Sequence, residues 1–193
     1  MGLDIYIGVN NQKELFSTDY YDVKNDYINK HRLSRTFCNF MSRQYVTSGL
    51  PELDQIGLIT GIDVTPLYDM DKYQDEFEQE MEMEMEMLFA ENDREELAEQ
   101  IQTNNEHLNN NIELVLETIN ALISSLSKID DLNKKLDHGG YDTLTYDFYF
   151  VDFNKPTVES YVRNNFGQDL HNIKTFLVFA KERCTTTVWF SYD

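Results

Sequence analysis

Residues 76 to 93, EFEQEMEMEMEMLFAEND, alternate acid and thioether with the period of a strand, yet they are built from residue types that favour helices. Strand or helix here decides the fold, and the residues upstream settle the choice. In DVTPLYDM, residues 63 to 70, Thr65 stands where an N-cap belongs and Pro66 where a first helical residue is tolerated. Counting forward from that start at helical spacing gives an apolar stripe of Leu67, Met70, Phe77, Met81, Met85 and Leu88, with Gln74 its one polar interruption. A strand would instead align Glu80, Glu82, Glu84 and Glu86 as like charges on one face, in residues depleted from sheets. The spacing therefore predicts a helix, with Met83 and Met87 on a flank that a single buried face does not explain.

A second helix follows. Asp93 with Glu96 makes a start like a capping box. From there Ala98, Ile101, Asn105, Leu108, Ile112, Val115, Ile119, Leu122, Leu126, Ile129, Asn133 and Leu136 keep an alternating three-four spacing, a heptad seam with asparagine as its polar member. TNNEHLNNN, residues 103 to 111, is the place for a kink or a break, because asparagine competes for backbone hydrogen bonds. Lys134 and Lys135 suit the helix dipole, and Gly139 with Gly140 stops the helix. The two helices, about 66–90 and 94–136, are expected to form a long antiparallel hairpin. It would project, acidic, over 66–136 from a single domain covering 1–193.

The rest supplies a smaller body. LDIYIGV, residues 3 to 9, alternates branched and aromatic side chains and reads as a strand, ended by Asn10 and Asn11. TTTVWFSY near the other end is the strongest strand signal in the chain. In LSRTFCNFMSRQY, Leu33, Phe37, Phe40 or Met41, and Tyr45 lie at helical spacing behind Ser34 as N-cap. SGLPELDQIGLITG gives another short helix, with Pro51 at its start and Gly61 at its C-cap. The pair has only the outline of a helix-turn-helix, since Glu52 and Asp54 stand where DNA readers need cations. The segment 12–31 reads as loop or short irregular helix, and 141–156 stays open between strand and irregular structure. Near the C-terminus a helix turns Phe166, Leu170, Ile173, Phe176 or Leu177, and Ala180 inward. The predicted class is α+β, helix-dominated, with a small sheet containing the N- and C-terminal strands.

Composition narrows the function classes. With 41% hydrophobic and 13% aromatic residues the 193-residue chain can build a real core. A net charge of -19 argues against holding nucleic acid or an anionic membrane and makes a basic partner the natural complement. MGLDIYIGVNN has no basic, apolar leader pattern, no run approaches a membrane span, and Tyr6 breaks the myristoylation motif. Cys38 and Cys184, far apart and outside any CxxC pattern, support neither a disulfide framework nor a zinc site, so a reducing cytoplasmic setting is expected.

Charge distribution is the most informative functional feature. From Asp71 to Glu106, fourteen acids stand against Lys72 and Arg94, a balance of -12. The plain reading is a solvated hairpin whose outer faces happen to be acidic. The sharper one is a docking surface for a basic protein, carried by Glu80, Glu82, Met83, Glu84, Glu86 and Met87, as in an inhibitor or immunity protein. Met83 and Met87 also suggest a homodimer through the hairpin. Met-rich MxM tracts resemble thioether sites for soft metals. On a helix, however, Met81 and Met85 lie together while Met83 points elsewhere, so core packing is the better account and no metal is expected.

Lys24, Lys30, Arg32, Arg35 and Arg43 form a basic island beside His31. Arg35 and Asn39 share a helix face, and Asp4 on the first strand can pair with either. This is a structural salt bridge, or else a small anion pocket in which Arg35 clamps phosphate and His31 shuttles a proton. In RNNFGQDLHN, residues 163 to 172, capping and turns explain Asn164, Asn165 and Asp169. A ligand at that helix start, held by Asn164, Asn165, Gln168 and His171, is the alternative. No Ser/His/Asp, HExxH or paired-carboxylate arrangement appears, and histidines at 31, 107, 138 and 171 give no metal spacing. No catalytic residue and no cofactor are therefore assigned.

The blocks MGLDIYIG, LSRTFCNFM, ELDQIGLITGID and NNFGQDL with TTTVWFSYD resemble an uncharacterised bacterial family of the Bacteroidetes type. The resemblance implies a bacterial, cytoplasmic protein and transfers no catalytic residue. The combined expectation is a non-enzymatic interaction module. The alternatives are a small-molecule-binding domain or small enzyme using Asp4, His31, Arg35 and Asn39, or a self-associating structural protein.

Overall fold

The computed structural model describes residues 4–18, 31–46, 49–72, 94–138, 146–155 and 161–192. In chain order these form β1 (Ile5–Val9), α1 (Gln12–Phe16), α2 (Arg35–Met41), α3 (Arg43–Val46), α4 (Glu52–Thr60) and α5 (Thr65–Asp69), which runs into a tight helical turn at Met70–Lys72. Then come α6 (Arg94–Leu108), α7 (Ile112–Leu126), α8 (Leu132–Lys135), α9 (Tyr146–Tyr149), a turn at Tyr161–Arg163, α10 (Phe166–Lys181) and β2 (Val188–Tyr192). The fold is helix-dominated, and its sheet joins the N- and C-terminal strands.

β1 and β2 pair antiparallel, Ile5 opposite Tyr192 and Val9 opposite Val188. Gly8 faces Trp189, and a Cβ on Gly8 would fall 2.3 Å from the indole Nε1, so the ring occupies the space a side chain would take. Two strands alone are marginal in water, and helices stabilise this pair by covering it. Phe37 of α2 meets Phe190 edge-on at 5.7 Å. Behind it Phe40, Phe150 and Phe166 form a mutually contacting triad at 5.0–5.7 Å.

α10 and α7 pack together as the central helical pair. The inward stripe expected for α10, Phe166, Leu170, Ile173, Phe176, Leu177 and Ala180, is buried throughout. Gly167 opens this helix beneath the Phe153 carbonyl, which would lie only 2.0 Å from an added Cβ. Ser34 caps α2 as expected, its hydroxyl accepting from the Phe37 N–H at 3.0 Å. Gly61 ends α4 in the left-handed conformation at φ 71.

Some expectations are corrected. Tyr45 is exposed rather than inward, because α2 ends at Met41 and a new short helix restarts the phase at Arg43. The cap of α5 comes from Asp63, whose Oδ1 accepts the Thr65 N–H at 3.0 Å, and not from Thr65. Residues 94–136 form three helices rather than one. The first break falls in the asparagine tract: Asn110 adopts φ 61, and the Asn111 amide bonds both backbone groups of Val188, donating to its C=O and accepting from its N–H, each at 2.8 Å. An asparagine committed to the free edge of β2 ends one helix and starts the next. The second break follows Ser127, with Asp131 at φ 55.

The seam still identifies the buried positions. Ile101, Leu108, Ile112, Val115, Ile119, Leu122, Leu126 and Leu136 are buried, while Ala98 is exposed. The first arm of the expected hairpin beyond Lys72, with all four methionines of the EMEMEMEM tract, lies outside the described residues. Within 141–156 the described part is the α9 turn and an irregular stretch.

Candidate functional site

Polar residues converge at the end of the sheet where β1 begins and β2 finishes. Arg35, in the first turn of α2, donates from Nε and Nη2 to Asp4 Oδ1, both at 3.2 Å, and both side chains are about half exposed. One turn further along α2, Cys38 is buried and Asn39 half-buried. Burial pushes the Cys38 thiol up to about 11, Asp4 and Asp71 add to that rise, and Arg35 opposes it. A thiol held protonated at neutral pH is no nucleophile. Asp71 accepts from Gln44 Nε2 at 3.0 Å, from the Tyr45 hydroxyl at 2.6 Å and from the Tyr192 hydroxyl. Burial of Tyr192 and partial desolvation of the largely exposed Tyr45, then the Asp71 carboxylate, raise both phenols above their ordinary value, so they act as donors and not as bases.

Of the sequence-predicted residues, Asp4 and Arg35 are brought together. His31 instead packs against Phe176 and Phe179 of α10, at 6.0 and 5.8 Å between ring centres. Arg35 thus ties α2 to the start of β1, and Asp71 ties α3 and β2 to the Met70–Lys72 turn.

The basic island also loses a member. Arg43, counted in that island, is buried and forks onto Glu52, Nε to Oε2 at 3.2 Å and Nη2 to Oε1 at 3.1 Å. Its Nη2 also donates to the His138 carbonyl at 2.9 Å. The His138 ring stacks on Phe150, with Nδ1 3.3 Å from Glu52 Oε1 and Nε2 3.0 Å from Asn133 Oδ1. Desolvation raises the Glu52 carboxyl, but hydrogen bonds and charge from Arg43 outweigh it and leave the group below its ordinary value.

At the start of α10 the candidate ligand-binders bond within the chain. Asn165 accepts the Gln168 N–H at 2.8 Å, and its Nδ2 donates to the Asp152 carbonyl at 2.9 Å and the Lys155 carbonyl at 3.2 Å. Gln168 Nε2 donates to Asn172 Oδ1 at 2.8 Å, and Asn172 in turn donates to the Arg32 carbonyl at 2.7 Å. Asn164 Nδ2 donates to Asp169 Oδ1 at 2.9 Å. Asp169, fully buried, also accepts the Ser34 N–H at 2.9 Å, the Ser34 hydroxyl at 2.6 Å and the Tyr149 hydroxyl at 3.0 Å. His171 is exposed; desolvation, with help from Lys174, lowers its proton affinity.

Sequence reasoning missed both buried carboxylate centres. Ser34 was legible as a cap and Asp169 as a capping or turn residue, but nothing local links two positions 135 residues apart. Arg43 opens α3 and Glu52 opens α4, nine positions apart, and neither shows a spacing that marks burial.

The described end of the acidic tract is α6. It buries Ile101 and Leu108 and turns Glu99, Gln102, Thr103 and Glu106 to solvent. His107 Nε2 lies 3.5 Å from Asp69 Oδ2, at the join to the body. Among the described residues, no group of three histidine, cysteine, aspartate or glutamate side chains is placed to hold a metal ion, and no helix is long and apolar enough to cross a membrane. Compared with known proteins, the chain matches no family model, no curated sequence and no solved structure.

Proposed function

We propose that this protein is a non-enzymatic binding module that engages a basic partner protein through its acidic segment, as an inhibitor or immunity-type protein does. The observation that carries the reading is charge concentration: the fourteen acids and two cations of Asp71–Glu106 account for -12 of the net -19. A surface of one sign raises the association rate of an oppositely charged partner and discriminates against like-charged ones. Two further features support it. The buried carboxylates Asp169 and Glu52 are saturated by partners within the chain, and Arg35, the candidate anion clamp, is engaged by Asp4. On α6, by contrast, Glu99 and Glu106 face solvent. Within the segment, Glu80, Glu82, Met83, Glu84, Glu86 and Met87 form the proposed contact.

The test is capture of partners from a bacterial lysate by the wild-type chain and by the triple variant Glu82→Lys, Glu84→Lys, Glu86→Lys, with bound proteins identified by mass spectrometry. The wild type is expected to retain a basic protein that the variant loses, and added salt should weaken the capture because exposed charges are screened. The same proteins held equally by both chains would remove the reading.

A further inference from the structure

Asp169 is the one buried carboxylate described here that is held by neutral donors alone. Its four hydrogen bonds come from three places: the Ser34 N–H and hydroxyl ahead of α2, the Tyr149 hydroxyl at the end of α9, and the Asn164 amide ahead of α10. Among the described residues no cation faces it from any of these elements. Beside Ser34, the Arg35 guanidinium is turned to Asp4, and the Arg32 guanidinium lies over the Tyr161 ring. Arg163, next to Asn164, is exposed, as is His171 on α10, and among the described residues Tyr149 is the only ionisable group hydrogen-bonded to it. A charge placed so deeply without a counter-charge is costly, and taking up a proton removes that cost.

The neighbouring hydroxyls make room for such a proton. Ser34 Oγ and Tyr149 Oη both lie on Asp169 Oδ2, at 2.6 and 3.0 Å. With Oδ2 protonated, the acid O–H donates to Ser34 Oγ, the Ser34 O–H rotates off Asp169, and the Tyr149 O–H keeps its place on Oδ2. Hydroxyl hydrogens rotate to suit their partners, so a proton on Oδ2 is accommodated by reorienting hydrogens. Oδ1 retains the Ser34 and Asn164 donors in both states.

We propose that Asp169, Ser34 and Tyr149 form a proton-binding site that clasps α2, α9 and α10 together, taking up one proton in weak acid while the chain stays folded. Burial, opposed by the four donors, places the Asp169 carboxyl at about 6. Since the folded chain binds this proton more tightly than the unfolded one, the site adds stability that is full below about pH 4 and is lost as pH rises through about 6. The span of about two pH units corresponds to a roughly hundredfold change in the folding equilibrium.

The direct test is a pH titration of the Asp169 carboxyl carbon by NMR in the intact wild-type chain, assigned through its own backbone signals. A midpoint near 6 is expected, and a midpoint at or below about 4, the ordinary carboxyl range, overturns the proposal. Tyr149→Phe keeps the buried ring but removes one donor to the ionised form, so its midpoint should move upward. An unmoved or lowered midpoint contradicts the role given to the Tyr149 hydroxyl.

Discussion

Glu52 and Asp169 are equally buried carboxylates that the chain treats in opposite ways. Glu52 faces a guanidinium fork and sits below its ordinary proton affinity, whereas Asp169 faces only neutral donors and sits above it. Burial acts on both in the same direction and more strongly on Asp169. At Glu52 the cation in bidentate contact, with further hydrogen bonds, reverses it, whereas four neutral hydrogen bonds only moderate it at Asp169. Both centres are cross-links. Glu52 ties α3 and α4 to the segment after α8, and Asp169 ties the starts of α2 and α10 to α9. With both saturated, the acids left for recognition are those on the surface.

The contrast can be broken most forcefully at Arg43. Arg43→Met leaves Glu52 buried without its cation, and a loss of about 3–5 kcal/mol is expected in urea unfolding at pH 7. The same change should lift the Glu52 carboxyl above its ordinary value and make the two centres alike. At the other centre, Tyr149→Phe removes a hydrogen bond to a charged acceptor at pH 7, costing about 2 kcal/mol. At pH 4 the acceptor is neutral and the cost should fall to about 1 kcal/mol. Equal costs at the two pH values would mean that Asp169 does not change its charge between them.

The pH signs sharpen the comparison further. Stability contributed by Glu52 is present above its unfolded value, near 4.3 for a free glutamate, and is lost as pH falls through its lowered folded value. The Asp169 contribution runs the other way, growing as pH falls from about 6 towards 4. At the edge of the Glu52 centre, Asn133→Ala deprives His138 Nε2 of its partner and should cost about 1 kcal/mol. Smallest of all, Arg35→Ala breaks an exposed pair and should change stability by less than about 1 kcal/mol, with the effect fading in high salt.

What was legible in the sequence was local or periodic. The end strands, the Ser34 cap, Gly61 and the α10 stripe each declare themselves within a few residues, and the heptad seam marked the buried positions from Ile101 onwards. What escaped depends on contacts between distant segments. The break at Asn109–Asn111 is fixed by Val188 at the other end of the chain, and Asp169 acquires its environment from residues 34, 149 and 164. Arg43 reads as a member of the basic island until the fold brings Glu52 to it. Of the expected anion pocket, the Asp4–Arg35 contact forms as an ion pair, while His31 is packed against phenylalanines instead.

The measurement that bears most directly on the proposed function is a paired capture experiment comparing the wild type, the Glu82→Lys, Glu84→Lys, Glu86→Lys variant and Arg35→Ala. Loss of a basic partner with the charge-reversed chain, and its full retention by Arg35→Ala, is the predicted result. Retention by the charge-reversed chain with loss on Arg35→Ala would contradict it and move the functional surface to the Asp4–Arg35 end of the sheet.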